Sequence, residues 1–201
     1  KENLTSIELI QFSKFLDVFY VVEKLRLATD TITRKELYQF DSQEDLELIF
    51  RIIQADKLDT YAAVKVYMYM YKILSGQNDY ESYNILKKYS FENVNNFPKE
   101  EQREILDALF SFCIKQINLG NEKFLKELLE LYDWGIDSEL ILTNNILAHT
   151  SFSNYIISGL RIGEFDRVEK FIHEKSILLE NSKRENEINF NMARLNFHKK
   201  K

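Results

Sequence analysis

A four-residue phrase recurs at a nearly constant interval along this chain, and no other feature constrains its fold as strongly. Each copy begins with Leu or Ile, ends on a small residue and lies between two helix-like stretches; the copies are residues 25–28, 73–76, 117–120 and 160–163. Their closing residues, Ala28, Gly76, Gly120 and Gly163, are successively 48, 44 and 43 positions apart. One helical hairpin per period of this length is typical of stacked helical repeats, so we expect these four residues to mark turns.

The scarcity of turn-forming residues favours the same architecture. The chain has five Gly and one Pro among 201 residues, too few for the many tight turns of an all-β sandwich. We predict an all-α fold, a right-handed superhelical solenoid of stacked antiparallel hairpins. The aromatic residues, 13% of the chain, are expected to fill gaps between hairpins. Because no Ser-, Gly- or Pro-rich linker interrupts the pattern, we expect one domain over residues 1–201.

Several local patterns predict where helices begin. Capping boxes, in which a hydroxyl and a carboxylate bind the first free amides of a helix, are predicted at residues 5–8, 33–36 and 182–185. Pro98, followed by two glutamates, also indicates a helix start. The apolar run at 59–75 alternates in part like a strand, but its length and context favour a buried helix.

The second half of the chain predicts two further hairpins. An unbroken apolar stripe from Leu106 to Ile117 resumes after Gly120 and predicts two packed helices. Residues 133–150 are expected to hold a short helix and a loop, and another hairpin turns at Gly163. The last helix, from about 182, has no visible partner and exposes Phe190 and Phe197, so we expect a truncation within or after the last hairpin.

Two sets of residues resemble known proteins. Gly163-Glu164-Phe165-Asp166 resembles the mid-repeat turn of tetratricopeptide repeats, although Val168 stands where that pattern has a small residue and the period exceeds 34 residues. The phrases at 23–28, 115–121, 159–165 and 193–197 resemble a group of uncharacterised bacterial helical-repeat proteins that are tetratricopeptide-like. This resemblance covers most of residues 12–201. It implies a solenoid with long repeats and supplies no activity.

Catalytic and cofactor chemistry finds no support in the sequence. The glycine-rich loops that hold phosphates and dinucleotides are absent. The three histidines, His149, His173 and His198, lack the paired spacing of metal ligands, and Cys113 lies inside an apolar stripe as a packing residue would. We therefore expect no catalytic residues, no cofactor and no metal, and hold an enzyme with an unrecognised site as a remote alternative.

The net charge and the hydropathy of the chain restrict the classes of partner that it can bind. The formal net charge is −5 without a basic stripe, which argues against nucleic acid. No run of 18 apolar residues is present, so we expect no membrane span. With no signal peptide recognisable, we expect a cytoplasmic protein that binds another protein or a peptide.

A polar ladder is our candidate binding surface. Arg26, Asn118 and Arg161 each stand two residues before a closing small residue, and Asn154 and Arg194 are further polar residues on the same set of helices. The A helices of such solenoids usually line the concave face, so these side chains are candidates for binding an extended partner. Two alternatives stay open. The residues are solvated helix edges, or the module instead self-associates through its C-terminal helix.

Overall fold

A computed structural model describes residues 5–33, 43–76 and 79–200, and these residues are predominantly helical. The α-helices within these ranges are α1 (Ser6–Thr33), α2 (Gln43–Ala55), α3 (Ala62–Leu74), α4 (Tyr80–Asn93), α5 (Lys99–Asn118), α6 (Phe124–Asp137), α7 (His149–Arg161), α8 (Phe165–Lys175) and α9 (Asn181–Lys199). Short 3-10 turns occupy Leu58–Thr60, Val94–Asn96 and Ser176–Leu178. Strands β1 (Leu142–Thr143) and β2 (Ile146–Leu147) form one antiparallel pair. The predicted all-helical class is confirmed.

The chain divides into two compact units, residues 1–96 and residues 97–201. The glycine-poor sequence shows no linker at this boundary, which is why the division was not expected. The assignment of the whole chain to one domain stays a prediction.

In the first unit, α3 is the central helix and packs against both α1 and α4. Its apolar run is buried on several sides, and the buried residues are Val64, Val66, Tyr67, Met68, Met70 and Ile73. From α1, Val21 and Leu25 enter this core with no exposed surface. The prediction of a helix rather than a strand at 59–75 is therefore confirmed.

In the second unit, each helix packs against the next one along the chain. The contacts join α5 to α6, α6 to α7, α7 to α8 and α8 to α9. Among the fully buried side chains at these contacts are Leu109, Leu129, Phe152 and Val168. The hairpins predicted around Gly120 and Gly163 are confirmed, because each glycine lies between two packed helices.

Three of the four predicted turns are present, and the fourth is wrong. Gly76, Gly120 and Gly163 have φ angles of +94°, +87° and +74°, a left-handed conformation that favours glycine and commonly ends helices. Ala28 instead lies inside α1 and is 8% exposed. Alanine is the best helix former and its Cβ disfavours positive φ, so the helix continues through it. Arg26 therefore precedes no turn and is not equivalent to Asn118 and Arg161.

Of the predicted capping boxes, the first is confirmed. The Thr5 amide donates to Glu8 Oε2 at 2.7 Å, and the Glu8 amide donates to Thr5 Oγ1 at 3.3 Å. The Thr5 hydroxyl also donates to Glu8 Oε2, at 2.8 Å. The amide and hydroxyl donors of Thr5 hold the pKa of the Glu8 carboxyl below its usual range. The box at 33–36 lies mostly outside the described residues.

The box predicted at 182–185 is wrong, because α9 already begins at Asn181. The Glu180 carbonyl accepts the amides of Lys183 and Arg184. The Arg184 guanidinium donates to the carbonyls of Ser176, Ile177 and Leu179. Arg184 therefore satisfies backbone carbonyls in and just after the preceding 3-10 turn.

Two further expectations for the second unit need correction. Residues 133–150 hold the end of α6 followed by the two-stranded hairpin, whose turn residues Asn144 and Asn145 have φ angles of +52° and +61°. The last helix does have a partner: α9 packs on α8, and Lys199 Nζ lies 2.6 Å from Glu169 Oε2.

Candidate functional site

An open cavity of about 640 Å³ in the second unit is the candidate site. Its walls come from α5, the end of α6, the segment leading into the β hairpin and the start of α7. The lining residues are Arg103, Leu106, Asp107, Phe110, Ile114, Tyr132, Leu140, Ile141, Leu142, Thr143, Asn144 and Ser151.

The floor of the cavity is apolar and firmly packed. Leu106, Tyr132 and Leu140 are buried in it, and the Tyr132 ring lies 4.8 Å from the Phe110 ring, centroid to centroid. Ile114, on the same helix as Phe110, is 47% exposed at the margin. The cavity therefore offers apolar surface that a ligand could cover.

A tight turn after α6 positions the far wall. The amides of Leu140 and Ile141 both donate to the Gly135 carbonyl, at 2.8 and 3.2 Å. A Cβ on Gly135 would approach Leu106 Cδ2 to 2.8 Å, so glycine allows this segment to lie close to α5. The close approach fixes one wall of the cavity.

Two basic side chains of α5 hold the same segment. Arg103 Nε donates to the Leu140 carbonyl at 3.1 Å, and Lys99 Nζ donates to the Ser138 carbonyl at 3.0 Å. Because Arg103 already binds a carbonyl of the wall, we assign it a structural role in shaping the cavity.

Asp107 supplies negative charge to the cavity. The residue is exposed, yet the surrounding walls desolvate its carboxylate and raise its pKa, with a further contribution from the neighbouring charge of Glu104. Both causes favour the neutral acid. A cation placed beside Asp107 would relieve this penalty.

A smaller cavity of about 320 Å³ lies between α6 and α8, and charged side chains cross it. Arg167 Nη2 lies 2.6 Å from Asp133 Oδ2, and Arg167 Nε donates to Tyr155 Oη at 3.0 Å. Lys175 Nζ lies 2.9 Å from Asp137 Oδ1. Burial, more than any neighbouring charge, raises the pKa of Tyr155, so the phenol stays neutral beyond its usual range. These paired charges connect helices, which favours a structural role.

The residues of the predicted polar ladder occupy different surroundings. Asn118 is exposed at the end of α5, and Arg161, exposed at the end of α7, pairs with Glu122 at 3.0 Å. This ion pair brings the turns after α5 and α7 side by side, which places Asn118 and Arg161 at the same end of the unit.

The other ladder residues are not at that end. Asn154 is exposed on α7, and its side chain forms a hydrogen bond with the Tyr132 hydroxyl, so it adjoins the cavity. The Arg194 guanidinium lies over the Phe190 ring at 5.2 Å on α9. Arg26 is partly buried on α1 in the first unit. That these five residues bind a partner stays a prediction.

Sequence reasoning missed the cavity itself. One wall of the cavity includes residues of the β hairpin, and the adjacent asparagines at 144 and 145 could have predicted the turn of that hairpin. Two-residue turns in which both residues have positive φ strongly favour Asn and Gly. Asp107 carried no such signal, because an acidic residue within an amphipathic helix is usually a solvated edge.

Other chemistry-bearing residues have local explanations. Cys113 is fully buried, as its place in the stripe predicted. His149 Nδ1 lies 3.0 Å from Glu187 Oε1. Over residues 5–33, 43–76 and 79–200, the side chains form no group suited to binding a metal ion. In the same ranges, none of the helices has the length and hydropathy required to cross a bilayer.

Comparison with known proteins adds no assignment: no protein-family model, curated protein or solved structure matches this chain.

Proposed function

We propose that this chain is a non-catalytic helical-repeat scaffold that binds an extended segment of a partner protein. The observation that carries the proposal is the open cavity of the second unit, with its apolar floor and its desolvated acidic residue, Asp107. Its volume of about 640 Å³ is in the range of ligand-binding pockets, roughly 300–1,000 Å³. The fixed wall around Gly135 would spare a ligand the cost of ordering the site.

The repeat architecture is part of the proposal. We assign α5–α6 and α7–α8 as successive repeats of a right-handed, tetratricopeptide-like solenoid with long repeats. Glycine turns of like conformation at 120 and 163 support this assignment. Three ion pairs also support it, because each joins residue 122, 133 or 137 of the first repeat to a residue of α7 or α8 in the second.

The chemistry of the cavity defines the segment that it would take. Apolar side chains would cover Phe110 and Ile114, while a Lys or Arg would neutralise Asp107. An apolar segment with at least one basic residue fits both features, and the net charge of −5 would attract it from a distance. The same charge disfavours a nucleic-acid partner.

The test is selection of peptides from a random displayed library on the full-length chain. The peptides recovered should combine apolar and basic residues. Their affinity, measured by fluorescence anisotropy, should fall about tenfold or more with Ile114→Lys, because the new charge occupies the margin of the cavity. Ile157→Lys is the matched control: Ile157 is an exposed isoleucine on α7 that does not line the cavity. The proposal fails if no peptide is enriched, or if both variants bind the selected peptides equally well.

The polar ladder gives a second place for the same kind of partner. Asn118 and Arg161 lie at one end of the unit, so a segment crossing both adjacent turns would contact them. The double variant Asn118→Ala/Arg161→Ala tests this placement and should leave helicity intact, because both side chains are exposed. Unchanged affinity for the selected peptides would remove the ladder from the binding surface.

Self-assembly through the C-terminal helix is the alternative function. Phe190 and Phe197 on α9 are 61% and 59% exposed, more than packing within the unit would leave. A chain that stacks end to end through α9 would lose its assembly when both residues are replaced by Glu.

A further inference from the structure

The first half of α1 has an apolar face that is open to solvent. Val21 and Leu25 on one side of the helix are fully buried in the first unit. Earlier in the helix that side is open as well, since Ile7 and Ile10 are 69% and 68% exposed. On the opposite side, six large apolar residues are between 48% and 65% exposed: Leu9, Phe12, Phe15, Leu16, Phe19 and Tyr20. We call these six residues the outer face of α1. Phe15 is at its edge, where its ring lies 6.5 Å from the Tyr61 ring.

The size of the outer face matches one side of a protein interface. An aromatic side chain presents roughly 150–250 Å² when fully free, so the four aromatic residues, which are a little more than half exposed, offer roughly 500 Å². Leu9 and Leu16 add to this area. A standard interface takes about 800 Å² from each partner, and the largest apolar patch of a typical monomer is about 300–600 Å². The outer face is therefore large enough to form most of an interface.

The spacing within the outer face favours a second helix as the occupant. Leu9, Phe12, Leu16 and Phe19 follow the alternating steps of three and four that form the seam of a coiled coil. In an antiparallel pair of α1 helices, Phe12 can lie opposite Leu16 and Leu9 opposite Phe19. Each layer then combines one ring with one leucine, so the seam is complementary to itself.

Charge selects the antiparallel arrangement. The next two seam positions are Glu23 and Arg26. A parallel pair would place Glu23 against Glu23 and Arg26 against Arg26, which is repulsive. The antiparallel pair places Glu23 opposite Thr5 instead.

Charge also disfavours a lipid surface as the occupant. Helices that lie in a membrane interface usually carry Lys and Arg along their polar side. Residues 6–22 have a single basic residue, Lys14, against the acidic Glu8 and Asp17. An anionic membrane would repel this segment, whereas a second copy of the chain would not.

We propose that the chain forms a twofold-symmetric dimer in which the outer faces of two α1 helices pair antiparallel. This inference is independent of the proposed peptide binding, because it uses the first unit alone. The two outer faces make one isologous interface, so the assembly closes at two copies.

The experiment measures mass by light scattering and sedimentation equilibrium over a concentration series of the full-length chain. Wild type should form dimers, and Phe12→Glu/Phe19→Glu should weaken association roughly 100-fold or more, because four charges enter the seam of each dimer. Ile157→Glu/Ile177→Glu is the control, since it places the same charges at two exposed isoleucines of the second unit, 38% and 65% exposed, that belong to neither α1 nor α9. This control should dimerise like wild type, and far-ultraviolet circular dichroism should show unchanged helicity in both variants.

Three results would overturn the dimer. The first is a monomeric wild type up to about 100 μM, a concentration at which an interface of this size should assemble. The second is loss of dimerisation in Phe190→Glu/Phe197→Glu with retention in the α1 variant, which would place the interface on α9. The third is a monomeric chain that cosediments with mixed zwitterionic and anionic phospholipid vesicles and needs Phe12 and Phe19 to do so, which would make the outer face a lipid-binding surface.

Discussion

Replacing Gly159 by Ala tests a close contact between two helices of the second unit, α7 and α8. Gly159 lies inside α7, and a Cβ built on it would overlap Cγ2 of Val168 on α8. Val168 is fully buried, and its β-branched side chain has one strongly preferred rotamer in a helix. Overpacking a filled core costs about 1–3 kcal/mol, whereas Ala gains about 1 kcal/mol over Gly in a helix interior. Because Val168 has little freedom to move, we expect the overpacking cost to lie in the upper part of its range, about 2–3 kcal/mol. After the gain from Ala is subtracted, the free energy of unfolding should fall by about 1–2 kcal/mol.

The assay is urea denaturation of the full-length chain, followed by far-ultraviolet circular dichroism. Ser153→Ala on the same helix is the control and should change stability by less than about 0.5 kcal/mol. In the double variant Gly159→Ala/Val168→Ala the new methyl group fills space that Val168 vacated. The two losses should therefore be less than additive, by about 1 kcal/mol or more. If Gly159→Ala stabilises the protein, α7 and α8 do not approach as closely as described, and the reasoning is refuted.

Three further predictions concern charged groups. Arg167→Ala should lower the free energy of unfolding by about 1–2 kcal/mol in the same urea assay, because it leaves its carboxylate and phenol partners without a donor; Lys170→Ala, an exposed neighbour, should change it by less than about 0.5 kcal/mol. The pKa of the Asp107 carboxyl is raised in the folded state. The contribution of Asp107 to the free energy of unfolding is therefore most favourable below the unfolded-state pKa, and it becomes unfavourable as pH rises and the carboxyl ionises. Asp107→Asn should therefore raise the midpoint of thermal unfolding at pH 7 and not at pH 3, and it should lower the affinity for the selected basic peptides. A lower midpoint at pH 7 would contradict this. The pKa of the Glu8 carboxyl, followed by NMR, should lie below its ordinary value of 4.5, and the stabilisation should be lost as pH falls through that titration. Thr5→Ala should return the pKa only part of the way, because it removes the hydroxyl donor and keeps the backbone amide donor, the larger cause of the shift. An unshifted wild-type carboxyl would contradict the capping box.

Local patterns predicted the parts of the fold that depend on neighbouring residues. The stripe from Leu106 to Ile117 and the two glycines at 120 and 163 correctly located the hairpins of the second unit, because helix periodicity and positive φ are local properties. Ala28 misled the prediction because its place in the repeated phrase suggested a turn, while alanine itself favours a helix.

The candidate cavity depended on properties that one sequence does not display. Its walls meet through contacts between residues far apart, such as the bond from Arg103 to the Leu140 carbonyl across 37 positions. The raised pKa of Asp107 arises from desolvation by those walls, and no spacing along α5 encodes it. The exposure of the outer face of α1 depends on where the rest of the first unit packs along the helix, which the sequence of α1 alone does not encode.

Hydrogen exchange of the full-length chain, with and without a selected peptide, tests the central claim that the cavity of the second unit binds a partner segment. Mass spectrometry should show slower exchange on binding in two segments, residues 103–114 of α5 and residues 140–151 around the β hairpin. The exchange of α1 and α9 should stay the same. Protection that avoids both cavity segments would contradict the proposed function, whatever the affinity of the peptide.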